Sequence, residues 1–218
     1  MIIAIDGPSG SGKSTISKLI AQEMNLIYID TGALYRTVAY GAEKESIPWD
    51  NGRKLGEYTK RIKITFKYEN GINRVFLNNK DVTDKIRTPQ ISMGASKVSA
   101  HPEVRSALLD IQRDLGNSNN SILEGRDIGT VIFPNADLKI FLIASNEVRA
   151  ERRLKELKEK GVDISFEEVL KQIILRDEQD SSRANAPLRK AFDAIEVDAS
   201  NKTINQVVSS ILAIIKGK

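Results

Sequence analysis

The stretch MIIAIDGPSGSGKST, residues 1–15, decides the fold of this chain. An apolar run at Ile2–Ile5 leads into GPSGSGKS at Gly7–Ser14, which is a complete G-x-x-x-x-G-K-[ST] pattern. The next segment, Lys13–Met24, carries apolar side chains at helical spacing. A strand, a glycine-rich loop and a helix in this order predict a phosphate-binding loop, because the loop N–H groups and the positive end of the helix face the same anion.

Two side chains of this loop have roles that follow from their chemistry. We expect the Lys13 ammonium to reach the β- and γ-phosphates of a nucleoside triphosphate, and the Ser14 hydroxyl to bind Mg²⁺. An unrelated lysine in a glycine-rich turn is the alternative, and the flanking strand and helix disfavour it. The residues expected to hold the triphosphate are Gly7, Pro8, Ser9, Gly10, Ser11, Gly12, Lys13, Ser14 and Thr15.

Beyond the loop, strand and helix patterns alternate along the chain. Apolar runs typical of buried strands lie at Ile2–Ile5, Leu26–Ile29, Ile122–Leu123, Leu138–Ile143 and Ile195–Val197. Helical patterns occupy Glu103–Leu115, where Gly116 is expected to end the helix, and Ser165–Arg183, which opens with a capping box. This alternation predicts an α/β fold with a parallel sheet covered by helices.

One segment, Arg61–Thr83, departs from this rhythm. Apolar and polar residues alternate on both sides of Asn70-Gly71, which is a strong signal for a β-hairpin. We therefore expect a small antiparallel meander, covering residues 61–86, inserted into the α/β core.

The composition limits the class of protein. A chain of 218 residues is long enough for one domain with a small insert. Its net charge of +4 suits anionic ligands but is too small to indicate nucleic-acid binding. The absence of cysteine excludes disulfides, thiolate chemistry and cysteine metal sites. No signal peptide is visible and Val207–Ile215 is too short to span a membrane, so we expect a cytoplasmic protein.

A phosphate loop also occurs in switch GTPases, so that class needs a separate test. GTPases read guanine with an N-K-x-D motif, whereas Asn78–Asp81 reads NNKD and has its aspartate one place early. No predicted strand ends in the D-x-x-G pattern of a switch protein. A non-catalytic nucleotide switch is therefore the minor alternative to a kinase.

Four segments carry a more specific signal: DGPSGSGKST from Asp6, DTGALYR from Asp30, GRDIGTVIFPNA from Gly125 and RDEQDSSRANAPL from Arg176. In this order and spacing they resemble the bacterial-type cytidylate (CMP) kinases, from Ile2 into the final helix. The resemblance implies one P-loop kinase domain over residues 1–218 with five parallel strands. It also implies that the meander at 61–86 is the monophosphate-binding lobe and that a helical lid lies at about 150–165. The implied activity is the ATP-dependent phosphorylation of CMP and dCMP.

The resemblance also implies the contacts of each substrate. ATP would bind the glycine-rich loop, with Mg²⁺ on Ser14, phosphate oxygens and water. The residues implied for catalysis are Lys13, Arg126, Arg152 and Arg153. Those implied for CMP are Thr31, Arg105, Asp127 and Arg183 around the cytosine, Ser96, Arg176 and Asp180 by the sugar, and Arg36 and Arg126 at the phosphate. The family commonly has serine where this chain has Thr31. Relative to serine, the threonine keeps the hydroxyl group and adds a methyl group.

The chemistry of cytosine agrees with a site that contains Asp127 and arginines. Cytosine presents its N4 amino group beside the N3 and O2 acceptors, so a carboxylate can accept from the amino group while an arginine donates to the acceptors. Uracil would place O4 against the Asp127 carboxylate and leave two acceptors facing each other.

Phosphoryl transfer itself requires positioning and charge stabilisation more than covalent chemistry. We expect in-line attack by a CMP phosphate oxygen on the γ-phosphate of MgATP, without a general base. A second set of arginines is expected on Glu147–Gly161, where Arg152 and Arg153 lie at the start of the lid implied by the family. Closure of that lid would exclude water and suppress simple ATP hydrolysis.

Two other functions stay open at this point. Another small-molecule kinase on the same scaffold would phosphorylate UMP, AMP or a non-nucleotide alcohol. A switch protein would hydrolyse ATP slowly, with no acceleration by a nucleoside monophosphate. Lysines that are interleaved with acidic residues disfavour a nucleic-acid partner, no membrane partner is indicated, and we expect a monomer.

Overall fold

A computed structural model of the protein describes residues 1–69, 72–117, 120–159 and 161–217. The chain divides into two compact units. The first unit comprises Met1–Ile29 and Leu115–Lys218, and the second comprises Asp30–Asp114. The Asn70-Gly71 turn of the expected hairpin lies outside the described residues.

Helices and strands alternate over much of the chain. In chain order they are β1 (Ile2–Asp6), α1 (Lys13–Met24), β2 (Ile27–Asp30), α2 (Thr31–Lys44), α3 (Gly52–Arg61), β3 (Ile64–Glu69), β4 (Ile72–Leu77), β5 (Lys80–Asp81), α4 (Pro89–Ser99), α5 (Pro102–Asn117), β6 (Ser121–Gly125), β7 (Leu138–Ile143), α6 (Asn146–Glu159), α7 (Phe166–Ser182), β8 (Ile195–Asp198) and α8 (Ile204–Lys216). A 3₁₀ turn covers Lys85–Arg87 and a π-helical turn covers Ile128–Ile132. Within the described ranges, no helix is both long enough and apolar enough to cross a membrane.

A five-stranded parallel sheet forms the centre of the first unit, in the order β2-β6-β1-β7-β8. Strand β1 lies in the middle, and Ile3, Ala4 and Ile5 are fully buried. A strand in the middle of a covered parallel sheet has both faces buried, which explains its continuous apolar sequence. The predicted α/β core with five parallel strands is confirmed.

Apolar faces of helices cover this sheet. Ile16 and Ile20 of α1 and Val207 and Ile211 of α8 pack with the strand residues in one buried cluster. Each such side chain contributes about 1.5–3 kcal/mol when it is removed from water. A smaller cluster joins the helices α6 and α7. The carboxyl end of β1, where the phosphate loop begins, therefore belongs to a well-packed core.

Helix α5 continues through Gly116 to Asn117, so the expectation that Gly116 ends the helix is wrong. A Cβ atom at Gly116 would lie 2.4 Å from Cζ of the Phe133 ring. The glycine therefore allows an aromatic ring to approach the helix backbone closely, and it does not form the helix cap.

The second unit contains a three-stranded antiparallel sheet in the order β3-β4-β5, which confirms the predicted small β insert. Its core combines the apolar faces of helices with Ile64 and Val75 of the sheet. Leu34, Leu55 and Leu108 are fully buried in this core. The sequence patterns did not anticipate α3 and α4, which complete the unit.

Candidate active site

The phosphate-binding segment links the end of β1 to the start of α1, as predicted. Its approach to the sheet requires glycine at one position, because a Cβ atom on Gly7 would lie 2.1 Å from the Leu142 carbonyl oxygen. Gly10 and Gly12 have φ angles of 77° and 96°, in the left-handed region that favours glycine. The loop therefore turns sharply and delivers its chain to the N-terminus of α1, where an anion is stabilised.

The Lys13 side chain folds back onto its own loop. Its Nζ donates to the Pro8 carbonyl oxygen at 2.6 Å and to Ser11 Oγ at 3.3 Å. Lys13 is buried, whereas Ser14 and Thr15 are exposed in the first turn of α1. The loop thus holds a cation beside two accessible hydroxyl groups.

The surroundings of Lys13 disfavour its charged form as long as no anion is bound. Burial lowers the pKa of Lys13 well below its usual value, and Arg126 lowers it further, while Glu124 and Asp6 act in the opposite direction. Within the described part of the chain, the hydrogen bonds of Nζ go to neutral oxygens. A bound phosphate would raise this pKa again, because a nearby negative charge favours the ammonium form.

Asp6 joins the phosphate-loop strand to the segment that follows Asp127. It lies opposite Gly125 in the register of β1 and β6. Its carboxylate accepts hydrogen bonds from the backbone N–H groups of Ile128 at 2.8 Å and Gly129 at 2.7 Å. Burial raises the pKa of Asp6 to about 6, against the opposing effect of these two N–H groups.

Four charged side chains meet where β6 and α7 end, and we call Arg126, Asp127, Asp180 and Arg183 the arginine–aspartate cluster. Arg126 Nε donates to Asp180 Oδ2 at 2.9 Å. Arg183 lies with Nη1 3.8 Å from Asp180 Oδ1 and with Nη2 3.6 Å from Asp127 Oδ1. The side chains of Asp127, Asp180 and Arg183 are each 7% exposed, so these charges are compensated within the cluster and not by water.

The cluster also fixes the ionisation of its central carboxyl group. Burial alone would raise the pKa of Asp180, but the guanidinium groups of Arg126, Arg176 and Arg183 hold that pKa below its ordinary value. Arg176 comes from the same helix α7 and is half-buried. Asp180 therefore stays ionised and orients the surrounding arginines.

Arg149 of α6 binds the backbone of the phosphate loop. Its Nη1 donates to the Ser9 carbonyl oxygen at 2.8 Å, and its Nε donates to the Ala144 carbonyl oxygen at 3.0 Å. Its Nη2 pairs with Asp177 of α7 and with Asn146. With 2% of its surface exposed, Arg149 ties the loop, the end of β7 and α7 together.

The two arginines expected in the lid differ in their surroundings. Arg152 Nη2 donates to the Ala199 carbonyl oxygen at 2.9 Å, and its Nη1 would lie 3.8 Å from a Cβ atom on Gly12. Arg153 pairs with Glu156 at 3.0 Å, and its side chain is 36% exposed. Arg152 is therefore held beside the phosphate loop, while Arg153 forms an ion pair on the helix surface.

In the second unit, a polar group stands at the start of α2. Asp30 caps this helix by accepting from Ala33 N at 3.0 Å, and it pairs with Arg36 Nη2 at 2.6 Å. Burial would raise the pKa of Asp30, but Arg36 holds it below its ordinary value. Thr31 is buried at 3% exposure in the first turn of α2. The structure thus brings Thr31 and Arg36 onto one helix end.

Arg105 is the second polar feature of that unit. Its guanidinium lies over the Tyr35 ring, 5.5 Å from the centroid, and its Nη1 donates to the Ser99 carbonyl oxygen at 3.3 Å. Ser96 is half-buried on α4, and its carbonyl oxygen accepts from Ser99 Oγ at 2.9 Å. The stacking and hydrogen bond fix the direction of a buried guanidinium group.

Three buried residues of the site were not identified as site residues from the sequence patterns: Asp6, Glu124 and Arg149. Glu124 ends its strand beside Gly125, is 5% exposed, and accepts a hydrogen bond from the Tyr28 hydroxyl group. Charged residues at the ends of apolar strands were the available signal for the two carboxylates. For Arg149, the arginine-rich sequence of α6 indicated Arg152 and Arg153 instead.

Comparison with known proteins gives one consistent result over the whole chain. A sequence model of the family "Cytidylate kinase" matches residues 3–217. A curated cytidylate kinase of Thermosipho melanesiensis is 48% identical over 99% of this chain and 97% of its own length. That of Geobacter sulfurreducens is 49% identical over 99% of this chain and 93% of its own.

A solved structure with lower sequence identity shares the fold. An uncharacterized protein from Eubacterium ventriosum superposes with a TM-score of 0.52 at 12% identity, covering 100% of this chain and 99% of the other. At that level of identity, the likeness concerns the fold alone.

Proposed function

The chain belongs to the cytidylate kinase family, and we propose that it transfers the γ-phosphoryl group of ATP to the phosphate of CMP and dCMP. One family model and curated relatives whose alignments cover nearly the whole chain support this activity. The main structural support for cytosine as the base is the arginine–aspartate cluster, in which Arg183 Nη2 lies 3.6 Å from Asp127 Oδ1.

The cluster has the donor and acceptor arrangement that a cytosine ring requires. We assign the Asp127 carboxylate to accept from the N4 amino group, and the Arg183 guanidinium to donate to the ring acceptors. Asp180 and Arg126 hold Arg183 and each other in place through their ion pairs. A uracil ring would meet an acceptor where it needs a donor, which leaves buried polar atoms unpaired.

The transferred phosphoryl group needs positive charge near the phosphate loop. Lys13 supplies it from within the loop, and Arg126 lies close enough to lower the pKa of Lys13. An attacking CMP phosphate oxygen is already anionic near neutral pH, so the mechanism needs no general base. The work of the protein is alignment and charge stabilisation of a loose transition state.

Mg²⁺ fits the residues of this site. The Ser14 hydroxyl group is exposed in the first turn of α1. No group of three or more His, Cys, Asp or Glu residues that could hold a metal occurs among the described residues. Mg²⁺ requires no such group, because it keeps several waters and binds phosphate oxygens. We propose Ser14 as the protein ligand, and the ion when bound neutralises charge on the phosphates.

The remaining roles are proposed unit by unit. In the second unit, the hydroxyl of Thr31 and the guanidinium of Arg105 are assigned to the base, Ser96 to the sugar and Arg36 to the phosphate. In the first unit, the sugar-side residues are Arg176 and Asp180, and Arg152 is the lid residue that approaches the phosphates. These assignments follow the family resemblance and the burial of the polar groups.

We assign the lid to residues 150–165, which cover α6 from Ala150 to its end at Glu159 and extend to Ser165, the N-cap residue of α7; residue 160 lies outside the described residues. We propose that the protein acts as a monomer. Because its proposed substrates are soluble nucleotides, we propose that the protein acts in the cytoplasm.

A panel of acceptors tests the proposed function. ADP release is measured with ATP and each of CMP, dCMP, UMP, AMP and GMP, with a control that lacks an acceptor. CMP and dCMP are expected to give the highest kcat/KM. Preference for UMP or AMP would replace the cytosine assignment, and slow hydrolysis that no monophosphate accelerates would indicate a nucleotide switch.

A further inference from the structure

Asp6 occupies a position from which it can act on substrate selection without touching the substrate. It is the last residue of β1, directly before the phosphate loop, and it is 4% exposed. Its two carboxylate oxygens each accept one hydrogen bond, from Ile128 N at 2.8 Å and from Gly129 N at 2.7 Å. These donors belong to the two residues that directly follow Asp127.

The backbone around Asp127 is irregular and therefore needs support. Asp127 has φ −145° and ψ 25°, and a π-helical turn begins at the next residue. Such turns are rare and occur frequently at functional sites. The Asp127 carbonyl oxygen accepts from Val131 N at 2.9 Å and from Ile132 N at 3.2 Å. The turn thus holds the carbonyl side of Asp127, and Asp6 holds the next two amide groups.

The position of Asp6 is unfavourable for an ionised carboxylate. Burial opposes its ionised form, and the neighbouring Asp127 carboxylate adds to that effect, while Lys13 and the two N–H groups oppose it. Lys139 of β7 also packs here, since its Cδ would lie 3.0 Å from a Cβ atom on Gly129, but its ammonium group pairs with Asp193. A carboxylate accepts each N–H group with a separate oxygen, whereas asparagine would offer one acceptor oxygen and an NH₂ donor.

We propose that Asp6 is a positioning residue for base recognition, because it orients the backbone of Asp127 and fixes that orientation relative to the phosphate loop. The inference rests on the proposed function, in which the Asp127 carboxylate reads the cytosine amino group. Loss of the Asp6 carboxylate therefore reduces discrimination between CMP and UMP, whereas the affinity for ATP changes little.

The test compares Asp6→Asn, Asp127→Asn and the double variant in the ratio of kcat/KM for CMP to that for UMP. Asp127→Asn is expected to lower this ratio by roughly 10- to 100-fold, the usual value of a well-placed base contact. Asp6→Asn is expected to lower it by about 10-fold, with the KM for ATP within about threefold of the original value. In the Asp127→Asn background, Asp6→Asn is expected to change the ratio no further.

The control is Asp137→Asn, because Asp137 also accepts from a β1 backbone group, Ile2 N at 2.6 Å, but at the opposite end of the strand. That variant should leave the ratio unchanged. Circular dichroism checks folding, and Asp6→Ser, which keeps one acceptor, replaces Asp6→Asn if the latter does not fold.

The outcomes separate the inference from the function on which it rests. An unchanged CMP/UMP ratio in folded Asp6→Asn, or an equal loss in both backgrounds, overturns the positioning role. An unchanged ratio in Asp127→Asn instead overturns the assignment of Asp127 to the base.

Discussion

The phosphate loop and the arginine–aspartate cluster place charge in opposite ways. Lys13 is a buried cation whose hydrogen bonds, among the described residues, go to the neutral oxygens of Pro8 and Ser11. In the cluster, Arg126 and Arg183 each lie within 4 Å of a buried carboxylate. One region holds a cation on neutral oxygens, and the other holds cations that carboxylates already orient.

This difference corresponds to two kinds of recognition. A phosphate group spreads its negative charge over several oxygens, so it can be bound from many directions. A cation that is not hydrogen-bonded to a carboxylate therefore binds it strongly. A base is recognised by the directions of its donors and acceptors, so the groups that read it must be held in fixed orientations. The loop cation supplies electrostatic stabilisation, and the paired cluster supplies selectivity.

The largest effect is expected when the loop loses its cation. Lys13→Ala should lower kcat/KM by on the order of 10²–10³-fold, the range for removing one preorganised transition-state contact. CMP and UMP should lose rate equally, because the cluster is intact. Lys18→Ala is the control, since Lys18 lies on the same helix but is exposed over the Tyr28 ring. A loss confined to CMP would contradict the division between the two regions.

The second effect concerns the pH dependence of stability, through the residue that connects the two regions. The pKa of Asp6 is raised from 3.8 to about 6 in the folded protein. Between these values the folded chain holds a proton that the unfolded chain has released, so Asp6 makes the free energy of unfolding fall as pH rises through this window. A shift of about 2 units corresponds to about 3 kcal/mol.

Urea denaturation of the original protein and of Asp6→Asn between pH 4 and 7 checks this prediction. The difference, original minus variant, should decrease by about 2–3 kcal/mol as pH rises. A difference that is constant with pH would show that the pKa of Asp6 is not raised and that its carboxyl group is ionised throughout this range.

The third effect is on the support of the phosphate loop. Arg149→Lys keeps the charge but loses the planar fork, so the Ser9 and Ala144 carbonyl oxygens cannot both keep their bonds. We expect a loss of roughly 1–3 kcal/mol in stability and an increase in the KM for ATP. Lys155→Arg, at an exposed position of the same helix, should change neither. An effect on the CMP/UMP ratio alone would assign Arg149 to the cluster.

The smallest effect separates the two lid arginines. Arg152→Ala should lower kcat by about 10-fold if its place beside Gly12 brings charge to the phosphates. Arg153→Ala removes a surface pair worth about 0.3–0.5 kcal/mol and should change kcat less than about twofold. Full turnover in both variants would exclude a catalytic role for Arg152 and Arg153.

The sequence predicted best the parts whose geometry depends on neighbouring residues. The loop, the start of α1 at Lys13 and the capping box at Ser165 are local, and the structure shows each where the pattern indicates it. Parallel strands were readable because burial on both faces leaves long apolar runs.

Contacts between distant residues were not readable in this way. Arg149, Arg152 and Arg153 lie close together on the same helix, and nothing in their own spacing tells which one turns inward. Arg149 turns inward because it donates to the Ser9 carbonyl oxygen, which lies 140 positions away in the sequence. Gly116 was misread for the same reason, because its partner Phe133 comes from another segment.

The most direct measurement is a crystal structure of the protein with CMP bound. We predict that the N4 amino group lies about 2.7–3.2 Å from a carboxylate oxygen of Asp127, with the Arg183 guanidinium on the acceptor side of the ring. A cytosine ring bound elsewhere, with no contact to Asp127 or Arg183, would contradict this prediction.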